Sequence, residues 1–215
     1  MSASSSGNDA GKAGAIVDIL KARFGKIPWW PGDTDEVMIG AILTQQTRWE
    51  NVEFALQLLK DRGMCSMTAL HAARVPEIEE AVRCTGFYRM KTRRLKALAA
   101  FVVETCGGVS GMDALPTPVL REGLRGVNGI GEETADSILC YGFGRSSFVI
   151  DAYTERIARC AGITTPRSAL KPLMESVLAA DPSVYRQTHA HIVEYAKQWC
   201  TKKRCEGCRI MALNG

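Results

Sequence analysis

The spacing of apolar residues constrains this chain more than any other feature of its sequence. Apolar side chains recur at steps of three and four residues in segments such as 15–24, 37–43 and 52–59. This period is typical of one face of an α-helix. No segment alternates apolar and polar residues as a half-buried strand does. The sequence therefore predicts an all-α protein of about ten short helices joined by short loops.

The size and composition of the chain are those of a globular protein. With 215 residues, of which 46% are hydrophobic, it can form one large core or two smaller ones. The N-terminal residues are small and polar and lack the basic and apolar segments of a secretory signal. No apolar run reaches the length of a membrane span. We therefore expect a monomeric, cytoplasmic protein without membrane association, in which residues 1–11 form a disordered tail.

A glycine-rich turn separates two helical segments in the second half of the chain. Residues 119–124 and 132–141 have helical periodicity, and Asn128-Gly129-Ile130-Gly131 lies between them. A helix start that follows glycines exposes backbone N–H groups, which bind phosphate without reading the bases. The pattern favours a helix–hairpin–helix that binds the DNA backbone. A purely structural helical hairpin is the alternative.

Positive charge is concentrated in one segment, although the net charge of the chain is only +4. Residues 83–96 contain no acidic side chain, and their basic ones are Arg83, Arg89, Lys91, Arg93, Arg94 and Lys96. Such a cluster is typical of a surface that faces a polyanion. A solvated helix face is the alternative.

Four motifs in order resemble a known family. Residues 124–139 read L-x-x-V-N-G-I-G-x-x-T-A-D-x-I-L, and Phe148-Val149-Ile150-Asp151 follows. These two motifs resemble the helix–hairpin–helix and the Gly/Pro-rich loop with aspartate of the endonuclease III superfamily of DNA glycosylases. The resemblance extends upstream to 42–47 and 85–91 and downstream to a C-terminal cysteine cluster. It covers almost the whole chain from about residue 15 onward.

The resemblance implies a two-lobed helical fold that acts on double-stranded DNA with damaged bases. One lobe would be a six-helix barrel of residues 34–147, with the helix–hairpin–helix at 119–141. The other would combine residues 12–33 with 148–215, including a cysteine loop at 200–214. Helical periodicity alone does not reveal this discontinuous arrangement.

Asp151 matches the catalytic aspartate of the superfamily. Cleavage of an N-glycosidic bond passes through a sugar with oxocarbenium character, which a carboxylate can stabilise while it orients or deprotonates water. Locally, Asp151 is also placed to cap a helix that starts at Ala152. The two roles are compatible, because a helix N-terminus favours the ionised carboxylate.

Glu133 stands where the bifunctional members of the superfamily carry a lysine that attacks the sugar carbon. A carboxylate cannot form the imine on which strand cleavage depends. The resemblance therefore implies a monofunctional glycosylase whose lyase activity is weak or absent, with Glu133 at the base pocket. The alternative role for Glu133 is that of a first-turn acid that stabilises its helix.

The segment Trp29-Trp30-Pro31 resembles the 3-methyladenine DNA glycosylase branch, in which a Trp-Trp-Pro segment lines the base pocket. N-alkylated purines are cationic, and an aromatic face attracts a cation. We expect Tyr153 to form a third wall of this pocket. The structural alternatives are that the tryptophans anchor a lobe boundary and that Tyr153 belongs to the core.

The expected activity is thus hydrolytic release of alkylated purines such as 3-methyladenine in base excision repair. One alternative is an endonuclease III-like or mismatch-adenine glycosylase that acts on oxidised or mismatched bases. The second is a noncatalytic helix–hairpin–helix protein, although that reading predicts the loss of Asp151, which this chain retains.

Base flipping leaves a hole in the duplex that side chains must fill. By the family pattern, Gln46 and Phe87 occupy the positions of the plug residues, an amide and an apolar wedge. The alternatives are an exposed helix end for Gln46 and burial in the barrel for Phe87. The remaining expected DNA contacts are Lys91, Gly129, Gly131 and Thr134.

The cysteine pattern departs from that of the family. The family's iron–sulfur loop has the spacing C-x6-C-x2-C-x5-C, whereas Cys200, Cys205 and Cys208 form C-x4-C-x2-C and Asn214 stands at the fourth position. We expect a [4Fe–4S] cluster with an incomplete cysteine set, and a metal-free relic or a zinc site are the alternatives. The other cysteines are scattered as small buried hydrophobic residues would be: Cys65, Cys84, Cys106, Cys140 and Cys160.

Overall fold

A computed structural model describes residues 3–30, 32–202 and 205–214. Within these residues the regular structure is helical and no strand is present, which confirms the all-α prediction. The α-helices are α1 Ala3–Arg23, α2 Thr34–Leu43, α3 Trp49–Asp61, α4 Met67–Ala72, α5 Val75–Val82, α6 Tyr88–Ala100, α7 Val109–Ala114, α8 Thr117–Gly126, α9 Glu132–Ser137, α10 Ala152–Cys160, α11 Arg167–Ser176 and α12 Pro182–Gln198.

Short helical turns of other types extend or connect several of these helices. Two π-helical segments, Phe101–Thr105 and Ile138–Gly142, continue α6 and α9. Two 3₁₀ turns, Arg83–Thr85 and Met211–Asn214, follow α5 and the C-terminal loop. None of the helices in the described part of the chain is long and apolar enough to cross a membrane.

The chain divides into two compact units. The discontinuous unit contains Met1–Trp29 and Gly144–Gly215, and the continuous unit contains Trp30–Phe143. The boundaries lie four residues before each of those expected from the sequence, which were 33/34 and 147/148.

Helix α1 starts much earlier than the sequence indicated. From Ala3 onward the segment expected as a disordered tail is helical, so that expectation is corrected for the described residues. The buried carboxylate of Asp9 explains the order, because its Oδ2 accepts bonds from the backbone N–H and hydroxyl groups of Thr164 and Thr165. These bonds fix the helix at a point where small polar residues alone predict fraying.

The continuous unit is built around α2. Every residue of 37–43 is buried, because this run is apolar on all sides of the helix and other helices surround it. Asp33 caps its N-terminus by accepting a 2.9 Å bond from Glu36 N. Apolar faces of α3 to α9 complete a single core around α2, with members such as Leu56, Leu98 and Leu139.

In the discontinuous unit, α1 packs against α11 and α12, and α10 packs against α12. Ile16, Leu20 and Tyr195 are among the most buried side chains there. Gln187 on α12 also fixes the segment after α1, because its amide exchanges two hydrogen bonds of 2.8 and 2.9 Å with the backbone of Ile27. Two stretches distant in sequence thereby form one compact unit.

Candidate active site and DNA-binding loops

Asp151 caps α10 in the discontinuous unit. Its Oδ1 accepts a 2.7 Å bond from the Thr154 backbone N–H and a 2.8 Å bond from the Thr154 hydroxyl. Its Oδ2 is directed instead towards His189 on α12, whose Nε2 lies 3.4 Å away. The residue is only 9% exposed. One carboxylate oxygen therefore caps the helix, while the other faces an imidazole.

The surroundings of Asp151 keep its carboxyl group ionised. Burial is the largest influence and by itself raises the pKa, but the His189 ring and the two bonds from Thr154 together lower the pKa below its usual value. Hydrogen bonds to the charged form outweigh desolvation here. A buried carboxylate that is charged at neutral pH is the form that can stabilise a positive sugar centre.

Residues 147–150, which lead into Asp151, are held by side chains of α11. The ammonium group of Lys171 donates to Ser147 Oγ at 2.6 Å and to the Phe148 carbonyl at 3.1 Å. Phe148 N in turn donates to Glu175 Oε1 at 2.9 Å, and the Phe148 ring is buried against Tyr185. These contacts define where the chain enters α10 and hence where the carboxylate lies.

The helix–hairpin–helix has the predicted form in the continuous unit. Helix α8 ends at Gly126, a turn follows, and α9 begins at Glu132. Arg121 on α8 forms a two-bond ion pair with the buried carboxylate of Asp136 on α9, at 2.8 and 3.0 Å. This pair fixes the two helices to each other, because bidentate arginine–carboxylate contacts are strong and directional.

The turn of the hairpin requires glycine at position 129. Gly129 has a φ of 88°, and a Cβ there would overlap the side chain of Arg94. Gly131, by contrast, has an ordinary φ of −88° and open space around its Cα. The two glycines expected to approach DNA therefore differ, since only Gly129 is demanded by the fold.

Gln45 joins the hairpin to the end of α2. Its Nε2 donates to the Gly129 carbonyl and to Thr134 Oγ1, each at 3.2 Å, and its Oε1 accepts a bond from Arg94. Thr134 is buried, so the structure assigns its hydroxyl a contact within the protein in place of the expected contact with DNA. The amide of Gln45 therefore connects the hairpin to Arg94 within the protein.

Gln46 and Phe87 lie at the tips of two loops with unusual backbone conformations. Both have left-handed φ angles, 55° for Gln46 and 47° for Phe87, which cost about 1–2 kcal/mol for a residue with a Cβ. Both are exposed, and Phe87 is 62% exposed. An exposed aromatic ring on a strained loop tip is suited to entering the DNA stack, and the burial expected in the alternative interpretation of Phe87 is not observed.

Lys91 is buried and does not lie on a DNA-facing surface, which corrects the expectation from the sequence. It is 1% exposed, and its Nζ donates to the carbonyls of Leu43 at 2.8 Å and Thr85 at 2.7 Å. Burial lowers the pKa of Lys91 to about 8. Leu43 precedes the Gln46 loop and Thr85 precedes the Phe87 loop, so one ammonium group connects the bases of both loops.

The rest of the basic segment also divides into internal and exposed groups. Lys96 Nζ donates to the carbonyls of Leu70, His71 and Ala73 at the end of α4, while Arg94 is bonded to Gln45. The exposed members are Arg83, Arg89 and Arg93. These three side chains face solvent, whereas the other half of the basic cluster bonds within the protein.

Trp29 and Trp30 belong to different units although they are adjacent in sequence. Trp29 packs edge-on against His189 at 6.3 Å between centroids, and Lys197 Nζ lies over its ring at 5.6 Å. His189 therefore contacts both Trp29 and the Asp151 carboxylate within the discontinuous unit. Pro31, the third residue of this motif, lies outside the described residues.

Trp30 forms an aromatic group with Trp49 and Tyr141 in the continuous unit. The ring centroids are 5.4 Å from Trp49 and 5.7 Å from Tyr141. The indole also lies directly on α2, where a Cβ at Gly40 would be 2.5 Å from Trp30 Cζ2. Gly40 therefore gives this ring room to approach the helix.

The two remaining members of the expected base pocket are less buried. Glu133 is exposed in the first turn of α9, where its carbonyl accepts a 2.7 Å bond from Ser137 Oγ. An acid at this position is favourable for the helix. Tyr153, in the first turn of α10, is partly exposed, so the structure does not place it in the core.

The C-terminal loop follows α12. Cys208 is buried and Cys205 is exposed, and both are free thiols, as is Cys200. Within residues 3–30, 32–202 and 205–214, no three His, Cys, Asp or Glu side chains converge on a point that would hold a single metal ion. Lys203 and Arg204 lie outside the described residues.

Sequence reasoning missed several residues of these sites. His189 lies deep in α12, and the only signal for it was a pair of histidines in a helical segment. Thr154 had a clearer signal, because a threonine three residues after an aspartate N-cap is placed to bond it. Gln45, the neighbour of Gln46, had no such signal in the sequence.

Comparison with known proteins places these features in a family context. A family model described as HhH-GPD superfamily base excision DNA repair protein matches residues 39–179. The chain is 40% identical over 202 residues to MJ1434 of Methanocaldococcus jannaschii, provisionally named a DNA repair glycosylase, with 91% of this chain and 92% of that protein covered. It is 27% identical over 184 residues to endonuclease III of Thermotoga maritima, with 82% and 80% covered.

Solved structures give matches of the same kind. The H. pylori 3-methyladenine DNA glycosylase MagIII, bound to 1,N6-ethenoadenine, superposes with a TM-score of 0.78 and 26% identity, over 86% of this chain and 97% of that chain. A non-covalent endonuclease III–DNA complex superposes with a TM-score of 0.79 and 18% identity, over 95% and 94%. The second match demonstrates a common fold.

Proposed function

The chain belongs to the HhH-GPD superfamily of base excision DNA repair proteins, and from this premise we propose that it is a monofunctional DNA glycosylase specific for alkylated purines such as 3-methyladenine. A DNA glycosylase of base excision repair is the function that the family match gives. The observation that carries the mechanistic part of the proposal is the buried, ionised carboxylate of Asp151.

Asp151 acts on the sugar in this proposal. As the bond from C1′ to the base nitrogen breaks, its electron pair leaves with the base and positive charge develops on the sugar ring. The carboxylate stabilises that charge and accepts a proton from the water that forms the new C1′–O bond. The cap bonds from Thr154 and the adjacent His189 keep Oδ1 and Oδ2 in place for this step.

An alkylated purine is a chemically suitable leaving group for such a site. Alkylation at a ring nitrogen makes the base cationic, so it departs as a neutral molecule without prior protonation. The aromatic group of Trp30, Trp49 and Tyr141 supports this substrate class, because aromatic faces attract cations by about 0.5–2 kcal/mol. The similarity to MagIII, which was solved with a modified adenine, supports the same class.

The absence of an amine at position 133 supports hydrolysis without strand cleavage. Glu133 cannot form an imine with C1′, so the product is an intact abasic site. The only buried lysine near the DNA-binding loops is Lys91 among the described residues, and it is bound to two carbonyls away from the surface.

The proposed contacts with DNA are made by the exposed loop tips and by the hairpin. Gln46 and Phe87 fill the space of the flipped nucleotide, and the backbone N–H groups after Gly131, at the start of α9, bind phosphate. The N–H of Ile130, after Gly129, donates instead to the Val127 carbonyl. We propose that one copy of the chain acts on one lesion.

One incubation tests the proposal. Duplex DNA treated with a methylating agent is incubated with the protein, and free 3-methyladenine is measured alongside strand breaks before and after alkali. Release with breaks only after alkali is the expected result. Breaks without alkali would contradict the monofunctional mechanism, and no release of alkylpurine by a protein that binds the DNA would contradict the substrate class.

A further inference from the structure

The imidazole of His189 is enclosed between Trp29 and the carboxylate of Asp151. The residue is buried, and its Nε2 atom is out of contact with solvent. The Trp29 ring lies at 80° to the imidazole with the centroids 6.3 Å apart, and Asp151 Oδ2 lies 3.4 Å from Nε2. Because buried polar groups are hydrogen-bonded as a rule, Oδ2 is the acceptor that this geometry gives to Nε2.

Helix α12 also holds the segment that leads to this tryptophan. Two positions before the buried imidazole, the amide of Gln187 exchanges two hydrogen bonds with the backbone of Ile27. Two positions after it, His191 Nε2 forms a 2.9 Å hydrogen bond with the Gly25 carbonyl. The place of the tryptophan ring against α12 is therefore fixed by contacts on both sides of the imidazole.

The surroundings of Trp29 suit a support for the imidazole better than a wall for a cationic base. Lys197 Nζ lies over the Trp29 ring, 5.6 Å from its centroid, and pairs with Glu194 at 2.9 Å. The attraction that an indole face has for a cation is thus already used on that side of the ring. Trp30, by contrast, contacts other aromatic rings. The two adjacent tryptophans therefore have different chemical surroundings.

The two oxygens of Asp151 differ in what they can still bind. Oδ1 accepts two bonds from Thr154. Among the described residues, the titratable side chain within ion-pair distance of this carboxylate is His189, which faces Oδ2. A bond from Nε2–H uses one of the two lone pairs of Oδ2 and leaves the other. Oδ2 is therefore the oxygen that can accept a proton from water while the carboxylate stays oriented.

We propose that His189 is a positioning residue of the reaction, whose Nε2–H donates to Asp151 Oδ2 and orients this oxygen towards the attacking water, and that Trp29 holds the imidazole in place. The inference rests on the proposed function, because it names the residues that orient the carboxylate of that same site. His189 keeps its own proton, and the proton of the water passes to Oδ2. At 3.4 Å the contact is longer than an ordinary bond of about 2.9 Å, and we expect it to shorten when DNA is bound, as contacts in catalytic sites often do.

A titration of the Asp151 carboxyl group tests the pair without DNA. Its ¹³C resonance is followed against pH in the wild type, His189→Phe and His191→Phe. The imidazole of His189 lowers the pKa of Asp151, so this pKa should rise in His189→Phe, which keeps a ring but has no donor. His191→Phe is the matched control and should leave the pKa unchanged, because His191 bonds the Gly25 carbonyl. Equal pKa values of Asp151 in all three proteins would overturn the proposal.

The rate of base release tests whether this orientation matters for the reaction. With protein in excess over methylated duplex, we expect single-turnover release of 3-methyladenine to fall about 10–100-fold in His189→Phe, while the affinity for an abasic-site duplex stays close to that of the wild type. His189→Gln should recover part of the rate, because its amide can donate to Oδ2. Trp29→Leu should lower the rate by less, since the imidazole loses its neighbouring ring but keeps its donor.

The outcomes separate a positioning role from a structural one. A wild-type rate in His189→Phe would overturn the proposal, and so would equal losses of rate in His189→Phe and His191→Phe. If the wild type releases no alkylpurine, the substrate class of the proposed function is wrong, and the carboxyl titration still decides whether His189 is paired with Asp151.

Discussion

The carboxylate of Asp151 and the loop tips at Gln46 and Phe87 are held in place by different kinds of contact. Asp151 is fixed largely by a residue three positions later in the same helix, with one imidazole added from α12. The two loop tips depend on Lys91, which connects the carbonyls at the bases of both loops from a buried position. The reacting group therefore rests on a local motif, while the parts that would engage DNA rest on long-range bonds.

Because of this difference, the rate of base release and the affinity for DNA should respond to different substitutions. A change at the cap of α10 should affect the rate of base release with little effect on DNA binding. A change beneath the two loops should affect stability and DNA binding together.

The largest effect is expected for Asp151→Asn. Asparagine is also a good N-cap and its Oδ1 can still accept the bonds from Thr154, so the fold should persist. The loss of the negative charge should reduce base release by about 10²–10⁴-fold. Single-turnover release of 3-methyladenine and a parallel DNA-binding titration measure the two properties, and wild-type turnover by the variant would refute a catalytic role for Asp151.

Lys91→Met should produce the next largest effect, this time on the two loop tips at Gln46 and Phe87. Methionine has a similar length but leaves the Leu43 and Thr85 carbonyls without their donor, which we expect to cost about 1–3 kcal/mol. Urea unfolding measures this loss, and a titration with abasic-site duplex measures DNA affinity. For the unfolding measurement, Arg93→Met is the matched control, because Arg93 is exposed on the same helix. Equal unfolding free energies of the two variants would show that Lys91 does not support the loops.

The hairpin glycines offer a pair of smaller changes. Gly129→Ala places a Cβ at a φ of 88° against Arg94, and we expect about 1–2 kcal/mol of destabilisation together with weaker DNA binding. Gly131→Ala has an ordinary backbone angle and open space, so its stability should remain close to that of the wild type. Thermal unfolding of both variants checks this, and equal losses would contradict the distinction between the two turn positions.

The pH dependence of stability probes the Asp151 site again. Because the folded state lowers the pKa of Asp151 below its ordinary value of 3.8, the unfolded state binds this proton more readily. The contribution of the carboxylate is therefore fully present above that value and is lost as pH falls through the lower pKa of the folded state. The difference in unfolding free energy between wild type and Asp151→Asn should be constant near neutral pH and shrink below pH 3.8. A difference that grows on acidification would have the wrong sign.

The smallest effect is expected at the exposed arginines. Replacing Arg93 with Gln removes at most one phosphate contact, so the slope of log affinity against log salt should fall by about 0.9 in magnitude. Lys96→Gln should leave that slope unchanged, because Lys96 is bound to three carbonyls of the protein. A change of slope in Lys96→Gln alone would reverse the division of the basic segment into internal and exposed groups.

Much of the fold and part of the site could be predicted because their signals are local. Helical periodicity predicted the all-α class, the glycine turn predicted the hairpin between α8 and α9, and the position of Asp151 before α10 predicted its capping. Each of these rests on residues within about one or two helical turns of each other. The family resemblance added the catalytic role proposed for Asp151 and the discontinuous division of the chain, which local patterns do not contain.

The other features were decided by contacts between residues far apart in the sequence. In the local sequence, Lys91 and Lys96 look like any exposed lysine. The carbonyls around Lys91 make it a buried support of two loops, and those around Lys96 make it a cap of α4. Trp29 and Trp30 are adjacent, yet the boundary between the two units assigns them different neighbours.

Local patterns in the sequence were thus enough to predict the helical class, the position of the hairpin turn and the carboxylate that caps α10. Contacts between distant segments place His189 opposite that carboxylate and one lysine beneath two loops. The two sets differ in the range of the interactions. Periodicity and capping act within a helix or at its end, whereas the burial of a charged group depends on how distant segments pack.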